Sequence, residues 1–187
     1  VKLPEVKMDY DDSMIYKPDR AIASYTTGAR KIWQGSLSQK ATGKGVLVGV
    51  IDTGLDRDHL EFSEKGKVKG GYDLADGDGD YSDANMHGTH VAGIVGGKGN
   101  KDYLKGMAYE ANFMIYKVFS TKHQGASQGN VLSAIDRATA DRCKVVNLSL
   151  GSPGATSSKG SSAYHNAVSN ATKAGVIVVA AAGNDGA

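Results

Sequence analysis

At 187 residues the chain is the size of one ordinary domain, long enough to bury a real core. Its 22 Lys and Arg against 20 Asp and Glu leave a net charge of +2, which argues against a nucleic-acid partner and against attraction to an anionic membrane. Hydrophobic content of 40% and charged content of 22% fit a soluble globular protein, no apolar run approaches the ~18 residues of a membrane span, and the single Cys143 excludes an internal disulfide.

Residues 1–17 mix charges without a sustained period, so 1–28 reads as an extended arm or the remnant of a pro-segment, ahead of one domain over 29–187. A short helix is expected over 29–37, anchored by Ile32 and Trp33. After the glycine turn at 43–45, the β-branched run 46–51 predicts a strand buried on both faces, as in a parallel sheet. Asp52 follows at its carboxyl end, where open α/β sheets carry their sites. A short strand over 67–72 leads into the acidic loop 73–83. The run 85–97, NMHGTHVAGIVGG, predicts a helix in which Gly88, Ala92, Gly93, Gly96 and Gly97 leave a surface thin enough to lie almost on a sheet. Such a helix gives up propensity, by up to ~1 kcal/mol per Gly. Close packing, or chemistry at the N-terminus where His87 stands, is the expected return.

Beyond the polar loop 98–105, residues 112–118 predict a second core strand. Residues 131–142 predict a helix with Val131, Leu132, Ile135 and Ala138 on one face. A third core strand is expected over 145–150, with Cys143 just before it as a small buried hydrophobe. A helix over 161–173 is striped by Ala163, Tyr164, Ala167, Val168 and Ala171, and a fourth core strand covers 176–182. Strands alternating with helices predict a three-layer α/β fold, a mostly parallel sheet with helices on both faces. The fold is expected to be incomplete at the C-terminus, because Ala187 ends the chain just after a core strand.

Four groups carry candidate chemistry. An imidazole exchanges protons near neutral pH, so His87 is a candidate general base. Asp52 is either a turn cap through Thr53 and Gly54 or the carboxylate that orients such a base. Asn184 is either a turn residue of Asn-Asp-Gly or a hydrogen-bond donor to developing charge. Asp73, Asp76, Asp78, Asp80 and Ser82 crowd hard oxygen atoms that repel one another unless solvated or joined by a cation. His87 and His90 lack the i, i+4 spacing with an intervening Glu of a zinc helix, so His90 reads as packed behind the site.

VGVIDTG (48–54), HGTHVAG (87–93), VVNLSLGS (145–152) and AAAGNDG (180–186) stand in this order in the chain. Together they resemble the subtilisin-like serine proteases. The resemblance implies the N-terminal part of a catalytic domain, with Asp52 and His87 as two members of an Asp-His-Ser triad and the nucleophilic Ser beyond this chain. It implies Asn184 as donor to the oxyanion. Ser149, Leu150 and Gly151 would form one wall of a substrate channel, and Ala181, Ala182 and Gly183 the other. Gly125, Ala126 and Ser127 would flank the peptide on its other side, although 120–124 looks one residue longer than in the best-known members. Calcium (Ca2+) is implied at Asp73, Asp76, Asp78, Asp80 and Ser82. A second calcium site is implied at Glu61 and Asn100, with carbonyls of the loop 98–104. The function so implied is that of a secreted or cell-surface serine endopeptidase, and a mature secreted form would have lost its signal peptide. Its partners would be polypeptide substrates, the segment bearing the Ser, and a propeptide or inhibitor. This chain alone would be inactive. Two other readings stand beside it: a non-catalytic calcium-binding pseudoprotease, and a metallohydrolase using Asp52, His87 and His90.

Overall fold

In a computed structural model, residues 19–35, 40–100, 105–122, 125–151 and 158–184 are described. Five strands, β1 (Leu47–Asp52), β2 (Val68–Asp73), β3 (Asn112–Lys117), β4 (Val145–Leu148) and β5 (Ile177–Ala180), form one sheet. Its order is β2-β3-β1-β4-β5 and every pairing is parallel. The helices are α1 (Asp19–Thr26), α2 (Ala29–Trp33), α3 (His87–Gly96), α4 (Gln128–Ala140) and α5 (Ser158–Lys173). The alternation of strand and helix thus gives the expected parallel α/β architecture.

Side chains alternate between faces along a strand, and β1 shows the consequence. Val48 and Val50 join Leu55, Phe62, Val91, Ala92, Phe113 and Ile115 in the core beneath α3. Ile51 joins Tyr116, Val146, Leu148 and the apolar stripes of α4 and α5 on the opposite face. Val50, Ile51, Phe113, Ile115 and Tyr116 are fully buried, each worth roughly 1.5–3 kcal/mol relative to exposure. Cys143 is buried in the α4 and α5 core, as expected.

Helix α4 begins three residues before its apolar stripe because Ser127 caps it, its side chain accepting the Asn130 N–H at 3.1 Å. Helix α1 falls inside the stretch read as an arm. Arg30 Nε of α2 donates to Ser24 of α1, and Trp33 Nε1 donates to the Met107 carbonyl at 2.9 Å, its ring edge-on to Tyr109. Strand β5 departs from the expectation of a core strand. It is the edge of the sheet, with Ile177 62% and Val179 47% exposed, because α5 covers one of its faces and no described element covers the other. The arm over 1–17, loop residues 101–104, residues 123–124 of the longer loop and the chain end at 185–187 lie outside the described residues.

Candidate active site

The same alternation that puts Val48 and Val50 beneath α3 puts Asp52 on that face, at the carboxyl end of the central strand. Asp52 is 1% exposed. Its Oδ1 accepts the Thr53 N–H at 2.7 Å and lies 2.7 Å from Nδ1 of His87, the first residue of α3. An ionised carboxylate only accepts, so this contact fixes the proton on Nδ1 and leaves Nε2 as the acceptor. The His87 side chain is half exposed, its free nitrogen available to solvent or ligand. Burial pushes the Asp52 carboxyl above its ordinary range, outweighing the donors from His87 and Thr53. Its Oδ2 is buried without a partner among the described residues.

The approach of α3 to β1 is made possible by two glycines. A Cβ at Gly88 would stand 2.3 Å from the Gly54 carbonyl and 3.2 Å from Asp52 Cβ. Gly54 adopts φ 120°, and a Cβ there would meet the carbonyls of Tyr81 and Ser82 below 3 Å.

His87 borders a cleft of about 360 Å³ lined also by Thr53, Asn85, Phe119, Ser149, Leu150, Gly151, Ala181, Gly183 and Asn184. The segments after β4 and β5 therefore bring both expected walls to the residue proposed as base, and Asn184 lines the same cleft. Ala182 is exposed on the same segment but does not line the cleft. Thr53, Asn85 and Phe119 also line an adjoining pocket of about 420 Å³, to which Gly125 belongs. Ala126 pairs with Phe119 as an isolated antiparallel bridge. The Ser127 side-chain oxygen accepts the Asn130 N–H as the cap of α4, which holds the residue at the start of that helix. Ser149 Oγ accepts from Asn147 Nδ2 at 2.9 Å. His90 is exposed rather than packed, bordering a pocket with His59, Glu61 and Phe62 on the outer side of α3.

The acidic residues are arranged differently from a preassembled calcium site. Lys117 Nζ lies 3.1 Å from Asp73 Oδ2 and 3.3 Å from Asp76 Oδ2, so a buried ammonium supplies the cation between them. Burial works against that charge, but the two carboxylates outweigh it and raise the Lys117 pKa. Asp76 is further held by the Ser120 hydroxyl and by the Thr121 N–H and hydroxyl, which keep its carboxyl far below the usual range. Asp78 Oδ1 accepts the Asp80 N–H, and Asp80 Oδ1 accepts from Ser82. In the second set, buried Glu61 accepts the Gly99 N–H at 2.6 Å, Asn100 donates to the Leu60 carbonyl, and Lys98 pairs with Glu64. Among the described residues no three His, Cys, Asp or Glu side chains converge on one metal position. Asp73 and Asp76 are thus already held by an ammonium, and residues 101–104, whose carbonyls the second set would use, lie outside the described residues.

Sequence reading missed Thr53, Asp83, Asn85 and Phe119. Asp83 stood at the end of an acidic run and passed as loop, although an Asp just ahead of a helix start is a capping signal.

Taken together, the molecule is a parallel α/β protein with a buried carboxylate, an imidazole and a cleft gathered at the carboxyl ends of its strands, the usual place for a site in an open sheet. The chain belongs to the Subtilase family, whose profile matches residues 43–187. It is 38% identical over 157 residues to the Minor extracellular protease Epr of Bacillus subtilis (strain 168), a match covering 84% of this chain and 22% of that protein. It is 35% identical over 148 residues to the Major intracellular serine protease of the same organism, covering 77% and 44% respectively. Among solved structures it resembles a cold adapted subtilisin-like serine proteinase with a TM-score of 0.64 and 38% identity, over 77% of this chain and 48% of the other. The chain thus spans half or less of the length of these relatives. No helix among the described residues is long and apolar enough to cross a membrane.

Proposed function

We propose that this chain is the N-terminal part of the catalytic domain of a secreted serine endopeptidase that hydrolyses peptide bonds in polypeptides. The observation that carries the reading is the 2.7 Å contact between His87 Nδ1 and buried Asp52, beside a cleft that Asn184 also lines. A serine supplied by sequence outside these 187 residues would donate its proton to His87 Nε2 as its Oγ attacks the scissile carbonyl carbon. Asp52 would remain ionised, hold the tautomer and stabilise the imidazolium. The Asn184 side chain would donate to the carbonyl oxygen as negative charge gathers there. His87 would then protonate the leaving amine, and water would hydrolyse the acyl-enzyme by the same path in reverse. The small residues of β4 and β5 that face the cleft suit an extended peptide pairing with the backbone.

Secretion is supported by an extracellular relative, although an intracellular one matches nearly as well. Calcium enters as a stabilising ligand outside the chemistry. The second oxygens of Asp78 and Asp80 and the Ser82 hydroxyl are the groups a cation would recruit, since Asp73 and Asp76 already hold Lys117.

A fluorophosphonate probe tests the reading. The complete protease should be labelled at a residue outside this chain, and the 187-residue chain should remain unlabelled. Stoichiometric labelling of the chain itself, abolished by His87→Ala, would place the nucleophile within it, with Ser149 in the His87 cleft as the first candidate.

A further inference from the structure

The helix that carries His87 starts in an unusual way. Its N-cap, Met86, offers no side-chain hydrogen bond and sits in the left-handed region at φ 75°, which a non-glycine residue seldom adopts. The capping is done from outside by Asp83. Its Oδ1 accepts from the Thr53 hydroxyl at 2.8 Å, the Asn85 N–H at 2.9 Å and the Met86 N–H at 3.0 Å. Its Oδ2 accepts the Thr89 N–H at 2.9 Å and the Thr89 hydroxyl at 2.6 Å. Thr53 is the residue after Asp52, and its Oγ1 in turn accepts the Gly88 N–H at 2.9 Å. Every donor in this network belongs either to the end of β1 or to the loop and first turn that carry His87.

We infer that Asp83 is a positioning residue, which clamps the end of β1 to the start of α3 and so holds His87 Nδ1 on Asp52. This rests on the reading of that pair as catalytic. Both oxygens are needed, because Oδ1 serves the β1 side and the strained Met86 turn while Oδ2 serves the helix. Asp83→Asn keeps the shape but turns one oxygen into a donor. That donor faces either Thr89 N–H or the Asn85 and Met86 N–H groups, so one half of the clamp opens. A misplacement of about 1 Å at a catalytic group costs roughly a hundredfold in rate.

The experiment follows the strongly deshielded imidazole Nδ1–H proton of the His87–Asp52 bond by NMR. The spectra are taken on the complete protease, its fold monitored by circular dichroism. Wild type should show the resonance and Asp52→Asn should lose it. Asp83→Asn should lose it too, through fast exchange with water, and Thr53→Val should behave alike, whereas Thr53→Ser, which restores the hydroxyl, should recover it. In the complete protease Asp83→Asn should lower kcat about a hundredfold with KM nearly unchanged. Retention of the wild-type resonance in folded Asp83→Asn would overturn the clamp while leaving the catalytic pair intact. If Asp83→Asn does not fold, a resonance unchanged in Thr53→Val overturns it instead. Full activity of the complete protease after His87→Ala would overturn the catalytic reading, and the clamp with it.

Discussion

Replacing Gly88 by Ala sets helix propensity directly against packing at the site. Propensity alone favours Ala inside a helix by up to about 1 kcal/mol. At Gly88, however, the new Cβ would lie 2.3 Å from the Gly54 carbonyl oxygen and 3.1 Å from its nitrogen, both backbone atoms that have no rotamer to yield. Ordinary contact begins near 3.4 Å, so α3 and the end of β1 must separate by about 1 Å. Contact this close to two fixed backbone atoms falls in the upper part of the usual overpacking cost, about 2–3 kcal/mol, leaving a net loss of about 1–2 kcal/mol once propensity is subtracted. For a chain of this size that is a Tm lower by about 2–8 °C. The internal control is Gly129→Ala in α4, where among the described residues, its own helix backbone aside, the new Cβ would meet only Ser127 Oγ at 4.0 Å. There propensity is unopposed, and Tm should rise slightly. Differential scanning calorimetry of the two variants decides the matter. A Gly88→Ala chain as stable as wild type, or one shifted in the same direction as Gly129→Ala, would refute the close approach of α3 to β1.

Three further outcomes are expected. In the complete protease, Asn184→Ala should lower kcat by roughly a hundred- to a thousandfold with little change in KM, since its donor acts on the transition state; a change confined to KM in steady-state kinetics would mark it as a turn or substrate-binding residue. Calcium at a hundredfold excess over Kd should stabilise the folded chain by about 2.7 kcal/mol, and Asp78→Ala should shrink the rise in Tm; equal melting in calcium and in a chelator would remove calcium from the reading. Burial, with Lys98 nearby, pushes Lys67 down to about 8 from 10.5, so between those values the unfolded chain holds the extra proton and stability should rise with pH, by at most about 1.4 kcal/mol per unit. The stability difference between wild type and Lys67→Met, measured by urea unfolding, should therefore grow across that window; a flat difference would show that Lys67 titrates normally.

What the sequence determined by itself was local in origin. The β-branched runs, the helical stripes and the glycines of the His87 helix each record a local packing need, so the parallel α/β class was legible before any coordinates. That Asp52 and His87 belong together was implied by the resemblance of their motifs to a known family, and the structure sets them 2.7 Å apart. Asn184 and the two walls were likewise implied by the resemblance, and the structure brings Ser149, Leu150, Gly151, Ala181, Gly183 and Asn184, though not Ala182, to one cleft. What the tertiary structure decided were matters of long-range pairing. The sequence shows a dense acidic run, but only the register that sets Asp73 beside Lys117 across β2 and β3 reveals that a lysine already pairs with two of its carboxylates, Asp73 and Asp76. Helix α1, with few apolar residues to mark a stripe, is tied down through Trp33 and α2 to residues far along the chain. Strand β5 reads as core from its composition, yet burial depends on which neighbours arrive, and no described element covers its outer face. Asp83 belongs here too: an acidic residue among others in sequence becomes a clamp only when β1 and α3 bring five donors around its two oxygens. Hydrophobic period is written residue by residue, whereas the partner of a charge is settled only when distant strands meet.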